Sequence, residues 1–330
     1  MSGRSSSIFM KRTLLIGLAV VVAILVTATI GASFYMLDYS LAPDGDRADT
    51  ARYFRQLADD HPETKRWADS LIACHVLCDT FVTMPSGERH HAYFARQDSS
   101  RHIAIVVHGW RDCAIEFFHI ARIYHQLLGF NVLMPDLHAH GLSEGDAIGM
   151  GWNDRRDVLH WMTVAARLFK SDDFVVHGVS MGAATTMNVS GEQLPSCVSS
   201  IRFVEDCGYT SVWDEFSYEI SEEFHLPDFP LMYTTSLLCK LKYGWSFDEA
   251  SPLRQVAKCR APMLFIHGDN DTFVPSRMVH PLYKAKTGQK SLWITKGTEH
   301  AVSADDYPEE YVKRLKSFVH KKDRSALSTF

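Results

Sequence analysis

Ser180 stands in the run Gly178-Val179-Ser180-Met181-Gly182, preceded by the apolar Phe174-Val175-Val176 and followed by the helix-prone Ala183-Ala184. Glycines on both sides of a serine let strand, turn and helix approach closely, forcing the serine into a strained turn with its hydroxyl exposed. A Gly-x-Ser-x-Gly match arises by chance in roughly one chain in ten of this length, so its context carries the weight. A serine hydroxyl needs a base to take its proton before it can attack a carbonyl, and that base needs a third group to hold its tautomer.

Further along the chain, His267-Gly268-Asp269-Asn270-Asp271-Thr272-Phe273-Val274-Pro275 begins at the end of an apolar run, and Gly297-Thr298-Glu299-His300-Ala301 lies just past the next one. Each puts a candidate at the carboxyl end of a strand, where open α/β sheets build their sites. Asp271 is the expected acid and His300 the expected base, in the order serine, acid, histidine. Two other acids compete with Asp271: Asp269, which could cap the turn, and Asp206 at the end of an earlier strand. A lone Asp is more often a turn cap and a lone His a surface residue; the ordered set argues for the functional reading. Negative charge developing on a substrate oxygen needs two backbone N–H groups. Met181, next after the serine, is expected to supply one. Trp110, in His108-Gly109-Trp110 at the end of another strand, is expected to supply the second, with His108 ordering the loop.

The elements that must position these residues follow from periodicity. Short apolar runs at 102–107, 130–134, 174–176, 201–204, 263–266 and 291–294 have the look of buried strands. Helical patterns lie between most of them, including Ala114 to Leu128, Asp154 to Phe169 and Pro308 to Val319. Strands alternating with helices imply a mostly parallel sheet covered on both faces. Upstream, polar helical stretches are expected over Asp49 to Asp60 and from Pro62 to about Leu77. Between Asp206 and Pro262 lie about fifty residues rich in aromatics, too long for a simple crossover. That insertion is expected to be a lid. Trp213, Phe216, Ile220 and Phe224 fall on one helical face, which would point into the site, while Asp214, Glu215, Glu219, Glu222 and Glu223 make the rest of the helix negative. Such charge is ordinarily a solvated face; bordering an entrance, it would favour a cationic substrate end.

At the amino end, Thr13 to Leu37 is a run of 25 residues without a charge, following Arg4, Lys11 and Arg12. That is long enough to cross a bilayer, and its apolar part outruns the central region of a cleavable signal. Basic residues before the run and Asp38, Asp44 and Asp46 after it leave the rest of the chain outside the cytoplasm, as an uncleaved signal anchor or, alternatively, secreted after cleavage. A net charge of -5 gives no basic field, so nucleic acid is not an expected partner. Seven cysteines cannot all pair within one chain. Cys74 and Cys78, read as one helical turn apart, are expected to be apolar-face thiols rather than metal ligands.

Together, His108-Gly109-Trp110, the run from Asp136 through His138 and His140 to Gly145, the Ser180 motif and the Asp271 motif resemble the α/β-hydrolase superfamily, most of all its bacterial esterase and serine-aminopeptidase-like branch, which includes the fermentation-respiration-switch type of hydrolase. The resemblance covers residues 77 to 320. It implies an α/β-hydrolase fold with an eight-stranded, mostly parallel sheet, helices on both faces, a helical lid, no cofactor, and cleavage of a small-molecule ester, thioester or amide through an acyl-enzyme on Ser180. His138 and Ala139 replace the usual Arg and Gly of the loop after the fourth strand, which removes a bracing arginine. Asp136, His138 and His140 match a structural loop of the family rather than a metal site.

The expected organisation is a cytoplasmic tip and transmembrane anchor over 1–37, a linker and helical lead-in over 38–76, and a hydrolase domain over 77–325 with its insertion at about 209–250. The alternative is a surface-anchored binding protein that keeps the fold without catalysis. A metalloenzyme lacks a His-Glu-x-x-His motif. Acyl group, leaving group and oligomeric state are not written in the sequence.

Overall fold

The computed structural model describes residues 2–320; residue 1 and the expected domain end at 325 lie outside the described residues. In chain order the elements are α1 (Ser2–Leu41), α2 (Thr50–Asp60), α3 (Pro62–Ala73), β1 (Leu77–Thr83), β2 (Arg89–Ala95), β3 (His102–Val107), α4 (Phe118–Arg122), β4 (Asn131–Pro135), α5 (Asp154–Phe169), β5 (Asp173–Val179), α6 (Met181–Ser190) and β6 (Ser200–Asp206). They continue with α7 (Val212–Phe224), α8 (Leu231–Tyr243), α9 (Pro252–Val256), β7 (Met263–Gly268), α10 (Val279–Ala285), β8 (Lys290–Thr295), α11 (Ser303–Asp306) and α12 (Pro308–Val319). The chain divides into two compact units. Within the described residues, one comprises 2–40 with Phe216–Glu249, the other Leu41–Glu215 with 250–320.

The larger unit is built on an eight-stranded sheet in the order β1-β2-β4-β3-β5-β6-β7-β8. β1, β2 and β4 pair antiparallel, and the remaining pairings are parallel. Nearly every residue of β3, β5 and β7 is buried, as expected when helices cover both faces. α5 buries Val158, Trp161, Met162, Ala165 and Phe169, a helical stripe, and α12 does the same with Tyr311, Leu315 and Phe318. α6 is buried along its whole length, which its small residues allow.

Three elements depart locally from the sequence expectation. The helix expected to run to Leu77 stops at Ala73, so Cys74 caps a helix and Cys78 belongs to β1. β1 and β2 form a hairpin that apolar periodicity does not reveal, because the buried positions of β2 include His90 and His91. The helix expected over Ala114 to Leu128 is broken into a 3₁₀ turn, α4 and a π turn. All seven cysteines are free thiols.

The smaller unit brings the amino-terminal helix together with the insertion. Ser33 Oγ lies 2.6 Å from Thr234 Oγ1 on α8, and Tyr39 donates to Glu223 Oε1 at 2.8 Å. Phe216 packs edge-on to Phe247 and Phe224 to Tyr39, so these two rings are engaged within the unit. Residues 9–28 of α1 are exposed on every side. On the insertion, Phe229, Tyr233, Leu237 and Leu241 are exposed at intervals of four, an apolar stripe continuing along α8.

Candidate active site

The end of β5 turns sharply into α6, and Ser180 occupies the turn with φ 57° and ψ −122°. A side chain held there costs on the order of 1–3 kcal/mol, which surrounding packing must offset. Both flanking glycines are required by close approach. A Cβ on Gly178 would lie 1.9 Å from the carbonyl oxygen of Gly182, and one on Gly182 would lie 2.1 Å from that of Val107. The turn therefore sits against the end of β3, where Gly109 follows; a Cβ on Gly109 would lie 3.6 Å from Ser180 Cβ. Met181 follows the serine directly, and Trp110 follows Gly109 in the loop after β3.

Two further loops meet at this edge. Asp271 folds its own turn: Oδ1 accepts from the N–H groups of Phe273 at 3.0 Å and Val274 at 2.9 Å. The loop after β8 is stitched to it, with Asn270 N–H donating to Thr298 O at 3.1 Å and Gly297 N–H donating to Asp269 Oδ1 at 2.5 Å. Gly268 permits the contact, because a Cβ there would lie 2.2 Å from Thr298 O.

The loops bring Ser180, His300 and Asp271 into one line. Ser180 Oγ is 2.8 Å from His300 Nε2, and His300 Nδ1 is 2.7 Å from Asp271 Oδ2. With Nδ1–H donating to the carboxylate, Nε2 is left to accept the hydroxyl proton. Asp271 is buried; desolvation raises its pKa, yet the hydrogen bonds from His267 and His300 outweigh that and hold it below the usual carboxylate range. It is thus an anion at neutral pH, able to stabilise an imidazolium.

The competing acids have other tasks. Asp269 is exposed and holds the Gly297 turn. Asp206 is buried, with Oδ2 accepting from Tyr311 at 2.8 Å, and burial pushes its carboxyl up to about 6. Tyr311 also meets His177 Nε2 at 3.0 Å, and Tyr124 meets His177 Nδ1 at 3.1 Å. Desolvation depresses His177 to about 3, so it is neutral and links two tyrosines beneath the site. Sequence reading missed this chain, as it missed His267, which lies 3.3 Å from Asp271 Oδ2 and donates to Val274 O at 2.9 Å. His267 had a signal in its position before Gly268; Tyr311 had none beyond its place on a buried helical stripe.

His108 orders the neighbouring loop, with Nδ1–H donating to Gly109 O at 2.8 Å and Nε2 accepting from Leu137 N–H at 2.9 Å. Asp136 and His140 do not converge with His138. Asp136 accepts from Ala114 and Leu142 N–H and pairs with His91 at 2.7 Å, while His140 Nε2 accepts from Arg111 N–H at 3.1 Å.

Known proteins share this architecture. An esterase from Pyrococcus furiosus, Pf2001, superposes with a TM-score of 0.59 at 23% identity, covering 74% of this chain and 91% of the esterase. A puromycin-hydrolyzing peptidase of Mycobacterium tuberculosis gives 0.57 at 17% identity over 74% of this chain and 38% of that one. The acylaminoacyl peptidase of Pyrococcus horikoshii gives 0.54 at 16% identity over 76% and 42%. In sequence, the uncharacterized Bacillus subtilis protein YqkD is 30% identical over 194 residues, which span 58% of this chain and 63% of that relative's length. No protein-family model matches the chain. The chain has the α/β-hydrolase fold, with an eight-stranded mostly parallel sheet.

Proposed function

We propose that the chain is a membrane-anchored serine hydrolase that cleaves a small-molecule ester, thioester or amide through an acyl-enzyme on Ser180. The observation that carries this reading is the continuous hydrogen-bonded line from Ser180 Oγ through His300 to Asp271 at the carboxyl edge of the sheet. His300 Nε2 takes the hydroxyl proton as Ser180 Oγ bonds to the carbonyl carbon. The displaced electron pair goes to the carbonyl oxygen, which the N–H groups of Met181 and Trp110 receive. The imidazolium, held by the Asp271 carboxylate, returns its proton to the leaving alcohol, thiol or amine as the bond to it breaks. Water then repeats the sequence on the acyl-serine and frees the acid. No cofactor enters these steps.

Anchoring rests on α1. Its fully exposed stretch over 9–28, 20 residues long, measures about 30 Å along a helix, the thickness of a bilayer's hydrocarbon core. Phe9–Leu41 is apolar enough to cross, with a mean hydropathy of 2.7 in its strongest window. The apolar stripe of α8, in the same compact unit, offers a second surface of the same chemistry. Lys11 and Arg12 at the start of the span favour a cytoplasmic amino end and a hydrolase unit on the other side.

The deciding experiment is labelling of the full chain with a fluorophosphonate. Labelling that is lost in Ser180→Ala supports the hydrolase; a wild-type chain that stays unlabelled, while folded, points to a binding protein instead.

A further inference from the structure

Away from Ser180, three side chains from three different segments converge: Glu88 from the β1–β2 turn, His90 from β2 and His138 from the loop after β4. One nitrogen or oxygen from each lies within 4.8 Å of the others. Glu88 Oε1 is 3.2 Å from His138 Nε2, and Glu88 Oε2 is 3.6 Å from His90 Nε2. Donors about 2.0–2.1 Å from a tetrahedral zinc are separated from one another by roughly 3.3 Å, so both spacings bracket that edge.

The hydrogen bonding of the imidazoles is the second observation. His90 is fully buried, and neither ring nitrogen makes a hydrogen bond. A buried imidazole left so is costly unless another partner takes its lone pair. Its Nδ1 faces Asp157 Oδ2 at 3.5 Å, on the side away from Glu88. His138 Nδ1–H donates to Ala147 O at 2.9 Å, and its Nε2–H donates to Glu88 Oε1 at 3.2 Å, a proton that a bound ion would displace. Each histidine thus has Nδ1 directed at an oxygen acceptor and Nε2 directed at the shared carboxylate. Metal-bound histidines are oriented in this way, the outer nitrogen held by a carboxylate or a carbonyl. Space is kept beside His138 as well, since a Cβ on Gly145 would lie 2.7 Å from its Nε2.

We propose that Glu88, His90 and His138 form a binding site for a divalent metal ion of the zinc type, with Asp157 and Ala147 O orienting the two imidazoles and a fourth position left for water. Two imidazoles and one carboxylate are a borderline-soft donor set that suits zinc over calcium or magnesium, which take oxygen ligands. The ion would tie the β1–β2 turn to the loop after β4 and the first turn of α5, where Asp157 sits. The site is separate from the Ser180 line, and its role is to hold the fold.

The test uses the full chain in detergent, stripped with EDTA and titrated with zinc chloride, read by calorimetry, melting temperature and zinc K-edge absorption. Expected are one zinc per chain, a rise in melting temperature of several degrees, and a spectrum with two imidazoles. Glu88→Gln should weaken binding at least tenfold, and Asp157→Asn, which keeps all three ligands, by about 10–100-fold. Melting in EDTA checks that both variants fold; should Glu88→Gln fail, Asp157→Asn makes the comparison alone. His300→Ala should bind zinc as the parent does. The proposal is overturned by absence of binding, by equal affinity in the parent and the folded variants, or by loss of binding in His300→Ala, which would move the ion to Asp271, Cys207 and His300.

Discussion

The peptide N–H of Ser180 donates to the main-chain oxygen of Asp206 at 2.9 Å, so the turn carrying the serine hangs from the end of the neighbouring strand β6. The side chain of the same aspartate is buried, and its Oδ1 has no hydrogen bond. Its carboxyl titrates at about 6 in the fold against 3.8 as a free group. Between those values the folded chain holds more protons than the unfolded one. Stability therefore falls as pH rises through this window and stays lower above it, by about 3 kcal/mol at most. Asp206→Asn is expected to remove that slope and to be more stable than the parent above pH 6. Urea unfolding of the full chain across the window measures it; an unchanged slope would mean that Asp206 stays ionised.

Ser180→Ala and His300→Ala are each expected to abolish nearly all turnover of an activated ester while leaving the melting temperature near that of the parent. Asp271→Asn should lose about 10⁴-fold through the wrong imidazole tautomer. Asp269→Asn should cost far less, because Asp269 holds only the Gly297 turn. A larger loss in Asp269→Asn than in Asp271→Asn would reverse the choice of acid.

Gly182→Ala is expected to destabilise by about 1–3 kcal/mol or more, since its Cβ would be driven into the carbonyl oxygens of Val107 and His108 at 2.1 and 2.6 Å. Gly87→Ala serves as the control, because it meets nothing within 4 Å and suffers only from its positive φ. Thermal melts of the two variants separate crowding from backbone strain.

The unit carrying the site is expected to be digested by protease added outside spheroplasts, and the full chain to resist extraction with alkaline carbonate. Protection under conditions that cut a periplasmic marker would reverse the orientation. Release by carbonate would remove the anchor.

Much of this was legible because parallel strands buried on both faces carry continuous apolar runs, and because the serine, acid and histidine each follow such a run. α5 and α12 begin and end at the residues their patterns indicate, Asp154–Phe169 and Pro308–Val319. β1 and β2 escaped the residue reading because His90 and His91 are buried in place of apolar side chains. The link from Tyr124 through His177 and Tyr311 to Asp206 joins four distant segments, and spacing along the chain holds no trace of it. The association of the insertion with α1 was likewise invisible, since Ser33 and Thr234 are 201 residues apart.

The backbone of Ser180, with its positive φ, is a standing cost to stability. Glycine adopts this conformation freely, so Ser180→Gly should fold into a more stable chain than the parent, by about 1 kcal/mol, while Ser180→Ala keeps the strain and gains nothing from it. Selection for stability alone would therefore drift toward glycine at this position. On the proposed reading, use of the hydroxyl is what offsets that cost.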